Sequence, residues 1–260
     1  MRCMESRPRI YFACLMAVAG FYTPVILGAD AAPAAAASPT AAAGGTSLDA
    51  TAPSGSGTSG ESPIMQLSPG AKVAAEAGIE ALGKNNFDAA QAAFLELLKL
   101  SPDNASALIN LGTVELRLGQ PEEALKYLER AVVVKPDAGL AWMTLGVAYM
   151  NLSNLEGATA ALTQAVFLDP KNPQAHNYLA VIFARRGWYD AAEDELQTVV
   201  ELAPNFAEAH FNLALIYFQR HPPAVELARR HYQKAIELGE APDPDFEKKL
   251  NAAPEATDVQ

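Results

Sequence analysis

The chain has 260 residues, half of them hydrophobic, and carries 19 basic against 30 acidic side chains for a net charge of −11. That length and apolar content are enough for a real core, and so negative a field repels phosphate backbones, which sets nucleic acid aside as a partner. The two cysteines, Cys3 and Cys14, lie near the start, so the rest of the chain has no disulfide, thiol catalysis or cysteine-held metal.

The first segment spans residues 1–31. Arg2, Arg7 and Arg9 precede an uncharged apolar run from Ile10 to Gly28, and the small residues Ala29 and Ala31 follow. A positive start, an apolar middle and a small-residue exit make a secretory signal peptide, so an exported protein of the periplasm or cell envelope is expected. The alternative is an uncleaved N-terminal anchor, because the run approaches the ~20 residues that cross a bilayer. Cys14 follows "YFA" without an apolar lead-in and reads as part of the apolar run rather than as a lipidation site. Without this segment, 16 basic and 28 acidic residues remain, a net charge of about −12. Residues 32–69 are nearly all Ala, Gly, Ser, Thr and Pro, too poor in large apolar groups to offset the entropy of ordering. They read as a disordered linker with an average span of roughly 35 Å.

Beyond the linker, Pro102, Pro136, Pro170 and Pro204 fall 34 residues apart. Gly78, Gly112, Gly146, Ala180 and Ala214 keep the same step, as do Ala90, Ala124, Ala158 and Ala192. A fixed period of this length marks a repeat array. Inside one period, Leu108, Leu111 and Leu116, then Ala124, Leu125, Leu128, Ala131 and Val132, follow the 3.6-residue stripe of amphipathic helices. The intervening "LGQP" supplies a Gly to end one helix and a Pro to begin the next. Two such helices cannot bury their apolar faces alone, so each unit must stack on its neighbour.

The unit from Gly139 to Asn172, "GLAWMTLGVAYMNLSNLEGATAALTQAVFLDPKN", resembles the tetratricopeptide repeat. It has that family's Trp, Leu-Gly, Tyr, Ala, large apolar, Ala and Pro at Trp142, Leu145-Gly146, Tyr149, Ala158, Leu162, Ala165 and Pro170. The other units depart at single places: Ala74, Leu108, His176 and His210 stand for the Trp, and Glu115 for the Tyr. The resemblance implies an all-α, right-handed solenoid of five helix-turn-helix repeats over 71–242, divided as 71–104, 105–138, 139–172, 173–206 and 207–242. A short capping helix over 243–252 and a frayed tail over 253–260 follow. Phe246 and Leu250, four residues apart, are placed to cover the last apolar face while Glu247, Lys248 and Lys249 face water.

The ruler slips once, in "YFQRHPPAVELARRHY". Ala228, Tyr232 and Ala235 arrive two places late, which implies two extra residues between the helices of the fifth unit. Proline costs about 3 kcal/mol inside a helix, so Pro222 and Pro223 belong to a turn, with the last B helix running from about Pro223 to Leu238.

A catalytic centre would require converging acids, bases or nucleophiles, or a metal. His176 and His210 share one repeat position and read as stacked packing rings, with no carboxylate at ligand spacing; His221 and His231 read as surface residues. Asp190, Glu193, Asp194 and Glu195 read as the solvated face of a helix. No phosphate loop is present. No catalytic residue, metal or cofactor is therefore expected, and the chain reads as a non-enzyme.

In tetratricopeptide proteins the second, fifth, sixth, ninth, twelfth and thirteenth places of helix A line the concave groove. The resemblance thus implies a partner-binding strip of Ile109, Asn110, Thr113, Met143, Val147, Met150, Asn177, Val181, Phe211, Asn212, Leu215 and Phe218. A strip of this kind suits a protein or peptide segment. On that reading, Asp at Met143 and Phe211 abolishes partner capture without unfolding. The Lys and Asn clamp of chaperone-binding members is missing, since Ala75, Ile79, Ile109, Thr113, Met143 and Val147 fill its places. The expected function is a scaffold or adaptor of the cell envelope, touching the membrane only through an uncleaved N-terminal segment. The alternatives are an assembly module that self-associates through its terminal faces, or an accessory subunit of an envelope enzyme or export complex.

Overall fold

The computed structural model describes residues 67–253. The signal peptide or anchor, the linker as far as residue 66 and the tail from residue 254 lie outside the described residues. Within them the chain forms eleven helices and no strand. In A, B order the pairs are α1 Pro69–Gly83 and α2 Phe87–Leu100, α3 Ala105–Arg117 and α4 Pro121–Val134, α5 Gly139–Asn151 and α6 Leu155–Leu168, α7 Pro173–Arg185 and α8 Tyr189–Leu202, α9 Ala207–Gln219 and α10 Val225–Glu237. A last helix, α11, covers Pro244–Ala252. The first boundary differs from expectation: the linker does not reach residue 69. Ser68 accepts from the Ala71 amide and Pro69 stands in the first turn, so helix begins where a linker was expected.

The helix ends follow from local chemistry repeated at the period. Asn86, Asn104, Asn154 and Asn172 each accept a backbone N–H three residues on, satisfying a donor that a helix start leaves without an intrahelical partner. Between the A and B helices, Asn85, Gly119, Ser153 and Gly187, again 34 apart, all take positive φ. The chain then reverses, and the amide of the next residue bonds back to a carbonyl five positions earlier, as Gln120 to Glu115 and Asn154 to Tyr149.

Each A helix packs on its own B helix, and each B helix on the next A helix. Close approach depends on the small residue at the centre of helix A. A Cβ at Gly78 would stand 2.6 Å from the Phe94 ring and one at Gly146 would stand 2.5 Å from Leu162 Cγ, while at Gly112 it would strike Leu128. Those three partners are fully buried, so the missing side chain is what lets the B helix seat its largest core residue.

In the fifth unit the reversal closes with the same hydrogen bond, but the Ala224 amide reaches Tyr217, seven positions back rather than five. The two extra residues are thereby located in the turn, with Pro222 and Pro223 exposed there and α10 starting only at Val225. The expected helix start at Pro223 is corrected by two residues, because a proline ring cannot donate the closing bond and the Ala224 amide can.

α11 seals the array. Asp243 accepts from the amides of Asp245 and Phe246, and Phe246 and Leu250 are 4% and 3% exposed. Phe246 meets Phe218 and Tyr232 edge-on, with centroids 5.5 and 5.4 Å away. Glu247 does not simply face water: the Tyr232 hydroxyl donates to it over 3.0 Å and accepts from the Asp243 amide over 2.8 Å. Burial, followed by the adjacent Glu247 carboxylate, pushes the Tyr232 hydroxyl up to about 12.

Candidate functional site

The site begins with a ring position that recurs along the A helices. Trp142 Nε1–H donates to the carbonyl of Pro136 over 2.8 Å, and the Nε2 atoms of His176 and His210 face the carbonyls of Pro170 and Pro204, each over 3.1 Å. A carbonyl only accepts, so Nε2 of each histidine carries hydrogen. The periodic prolines and the periodic rings are two halves of one contact that ties each A helix to the turn before it. Where Leu108 has no N–H to give, Arg130 serves the Pro102 carbonyl instead.

The second nitrogen of each histidine has a further task. His176 Nδ1 meets the Glu195 carboxylate at 2.5 Å, and His210 Nδ1 meets His231 Nδ1 at 3.0 Å, with the two rings stacked 5.2 Å apart. Three expectations change. A carboxylate does stand beside His176; His231 is half-buried rather than a surface residue; and His210 stacks on His231 of the next helix. The acids of α8 also divide: Asp194 is exposed, whereas Glu195 holds His176 and Glu193 pairs with Arg220 at 3.0 Å. The sequence contained the signal. His231, moved back by the two inserted residues, is the repeat equivalent of Glu195, so both rings bond to one place on the following B helix. Burial, then the neighbouring His210 and Arg230, lowers His231 to about 4. The two facing Nδ1 atoms share one hydrogen, one ring donating and the other accepting.

The twelve candidate binding residues all lie on the A helices α3, α5, α7 and α9. Ile109, Asn110, Thr113, Met143, Val147, Met150, Asn177, Val181 and Phe211 are 0–7% exposed, while Asn212, Leu215 and Phe218 are half-buried. Met143, Val147 and Met150 share a core cluster with Tyr178 and Val181 of the next A helix. Phe211 packs against Phe246 of α11. Asp at Met143 or Phe211 would thus strip core contacts, which corrects the expectation that those substitutions leave the fold intact.

The accessible end of the strip is in the fourth and fifth units. There the Asn212 side-chain amide donates to Asn177 Oδ1 over 3.1 Å, joining α9 to α7. Asn177 is fully buried and its own Nδ2 has no acceptor. Val181, Ala184 and Leu215 wall a dent of only 10 Å³ beside this pair. Small-molecule sites run to about 300–1,000 Å³, so the dent takes at most a side-chain tip. A larger trough of 520 Å³ lies at the rim between the Gly187 turn and the Pro222 turn. Its guanidinium, Arg220, is already bonded to Asp190 and Glu193. Among the described residues no three His, Asp or Glu side chains stand together as a metal-holding group.

Glu115, a departure from Tyr in the repeat pattern, is a buried acid. It occupies the place of Tyr149 and Tyr217, is 2% exposed, and takes one hydrogen bond, from Gln91 over 2.8 Å, while Oε2 has none.

Comparison with known proteins agrees with this architecture. A family model described as the Cilia and flagella-associated protein 70 C-terminal domain matches residues 28–197, and one described as Tetratricopeptide repeat matches residues 183–244. The Cellulose synthase operon protein C of Komagataeibacter xylinus is 43% identical over 60 residues, which make up 23% of this chain and 5% of that protein. A crystal structure of MamA protein is 24% identical with a TM-score of 0.57, covering 72% of this chain and 98% of that one. YrrB, described as "a TPR protein with an unusual peptide-binding site", is 24% identical with a TM-score of 0.53, covering 67% and 87%. With the 34-residue period, the paired helices and the model matched over residues 28–197, the chain belongs to the tetratricopeptide repeat family.

Proposed function

We propose that this protein is a non-enzymatic scaffold that holds a segment of a partner protein against its A helices, in the fourth and fifth repeats. The observation that carries this reading is the Asn177–Asn212 pair. Asn212 is the accessible member: its amide is held by donating to the buried Asn177 Oδ1 over 3.1 Å, and its own Oδ1 is the group that accepts from a partner's backbone N–H. Beside the pair, Leu215 and Phe218 offer half-buried apolar surface for the partner's side chains. The description of YrrB as having a peptide-binding site supports the same class of ligand. Reaction chemistry has little to work with, because His176, His210, Glu193 and Arg220 are held by hydrogen bonds within the fold.

The same reading places the protein outside the cytoplasm, on the strength of the arginine-led apolar run that opens the chain. Cell fractionation followed by N-terminal sequencing is expected to find it in the envelope, with cleavage near Ala31.

The test of binding uses Leu215→Asp and Asn212→Ala in the full chain. Both positions are half-buried, so helicity by circular dichroism is expected to match the parent while the set of co-purified partners is lost. Unchanged capture by a folded Leu215→Asp variant would remove the site from this face.

A further inference from the structure

A second surface runs along the ends of the B helices, away from the strip on the A helices. Lys99, Val133, Phe167 and Glu201 occupy one place in four successive repeats, on α2, α4, α6 and α8. Val133 and Phe167 are 78% and 76% exposed, more than any other large apolar residue among those described. The next residue in each helix is also apolar. Leu100, Val134 and Leu202 are 48%, 38% and 40% exposed, and Leu168 is half-buried. Together they form an apolar band of roughly 400 Å², comparable to the largest patch an ordinary monomer shows.

The charges around this band choose its occupant. Read from the first to the fourth helix pair and then in reverse, the row is its own complement: Lys99 faces Glu201 and Val133 faces Phe167. The central pairs of two further rows are complementary in the same way. At one repeat place Lys135 answers Asp169, and at another Asp137 answers Lys171, all four exposed. A parallel copy would set like charges together, and a lipid surface would want cations without Asp137, Asp169 and Glu201 among them. Only an antiparallel copy matches the Lys99–Glu201, Lys135–Asp169 and Asp137–Lys171 pairs together.

We propose that this face is the interface of a homodimer, in which a second copy of the chain packs antiparallel about a two-fold axis between the second and third repeats. The arrangement is isologous: Val133 and Phe167 of one protomer cover Phe167 and Val133 of its partner, and the two Lys99–Glu201 pairs close the ends. The apolar band supplies the dry centre of an interface of about 800 Å² per protomer, the size of a stable specific contact. It leaves the A-helix strip of both copies free, so each dimer carries two partner sites.

Sedimentation equilibrium of the full chain tests this. The expected mass at high concentration is twice the 27.5 kDa of the chain. Phe167→Asp, at an exposed position, is expected to raise the dissociation constant by about tenfold or more. Lys99→Glu and Glu201→Lys are each expected to weaken the dimer, and the double variant to restore it. Those two residues stand three repeats apart in one chain, so rescue requires contact between copies. A monomer at every concentration, or a dimer indifferent to Phe167→Asp, overturns the proposal. A dimer that weakens with both single charge changes but is not rescued by the double variant overturns its antiparallel register.

Discussion

A histidine that gives one nitrogen to a carbonyl has one nitrogen left, and what faces it decides how the protein responds to acid. His231 is depressed to about 4 from an ordinary 6.5, chiefly by burial, with the neighbouring His210 and Arg230 acting in the same direction. The unfolded chain takes up this proton near pH 6.5 and the folded chain only near pH 4. Between those values the unfolded state binds more protons, so stability falls as pH drops through the window. Above pH 6.5 the contribution is fully present; its loss by pH 4 is on the order of 2 kcal/mol, allowing for the ring's partial exposure. Denaturant midpoints measured at pH 7 and pH 4.5 are expected to diverge less in His231→Phe than in the parent. An equal pH dependence in both would show that this ring does not titrate between the two states. The pair was hidden in the sequence for a definite reason. The inserted residues shift His231 off the ruler, and only after Pro222 and Pro223 are set aside does it line up with Glu195.

At the level of elements, what the sequence reveals best is whatever the period repeats. Helix pairing, the prolines, the small residues of helix A and the buried positions of helix B were all legible, because each is set by a constraint that recurs every 34 residues. Single-copy events were less so. Where α10 starts depends on which amide closes one turn, and that Glu193 and Glu195 are held rather than solvated depends on side chains arriving from α9 and α7. The periodic glycine gives a direct check. Gly146 faces the fully buried Leu162 at a distance no side chain can occupy, so Gly146→Val forces α5 and α6 apart. The expected cost is about 2–3 kcal/mol, the range for overpacking a tight core, read as a fall in the thermal midpoint. Gly119→Val acts differently, since no atom stands near its Cβ. Its cost comes from forcing a branched residue to the φ of +75°.

For the whole molecule, family and architecture follow from the sequence, while the exposure of the binding strip does not. The twelve strip residues were assigned by place in the repeat, and place does not say how deeply neighbouring helices bury them. Ile109, Met143, Asn177 and Phe211 share one place and are all buried, while Asn212, Leu215 and Phe218 of α9 stay half-buried. α11 adds a further effect that depends on one residue, Phe246, whose ring takes up part of the surface of Phe211 and Phe218. On the function proposed, partners are held against the A helices of the fourth and fifth repeats. Photo-crosslinking in intact cells, with a benzophenone amino acid placed in turn at Leu215, at Phe167 and at Lys249, tests it most directly. A heterologous adduct is expected at Leu215, a dimer of the chain at Phe167 and neither at Lys249. Heterologous adducts at Lys249 or Phe167 with none at Leu215 would contradict it.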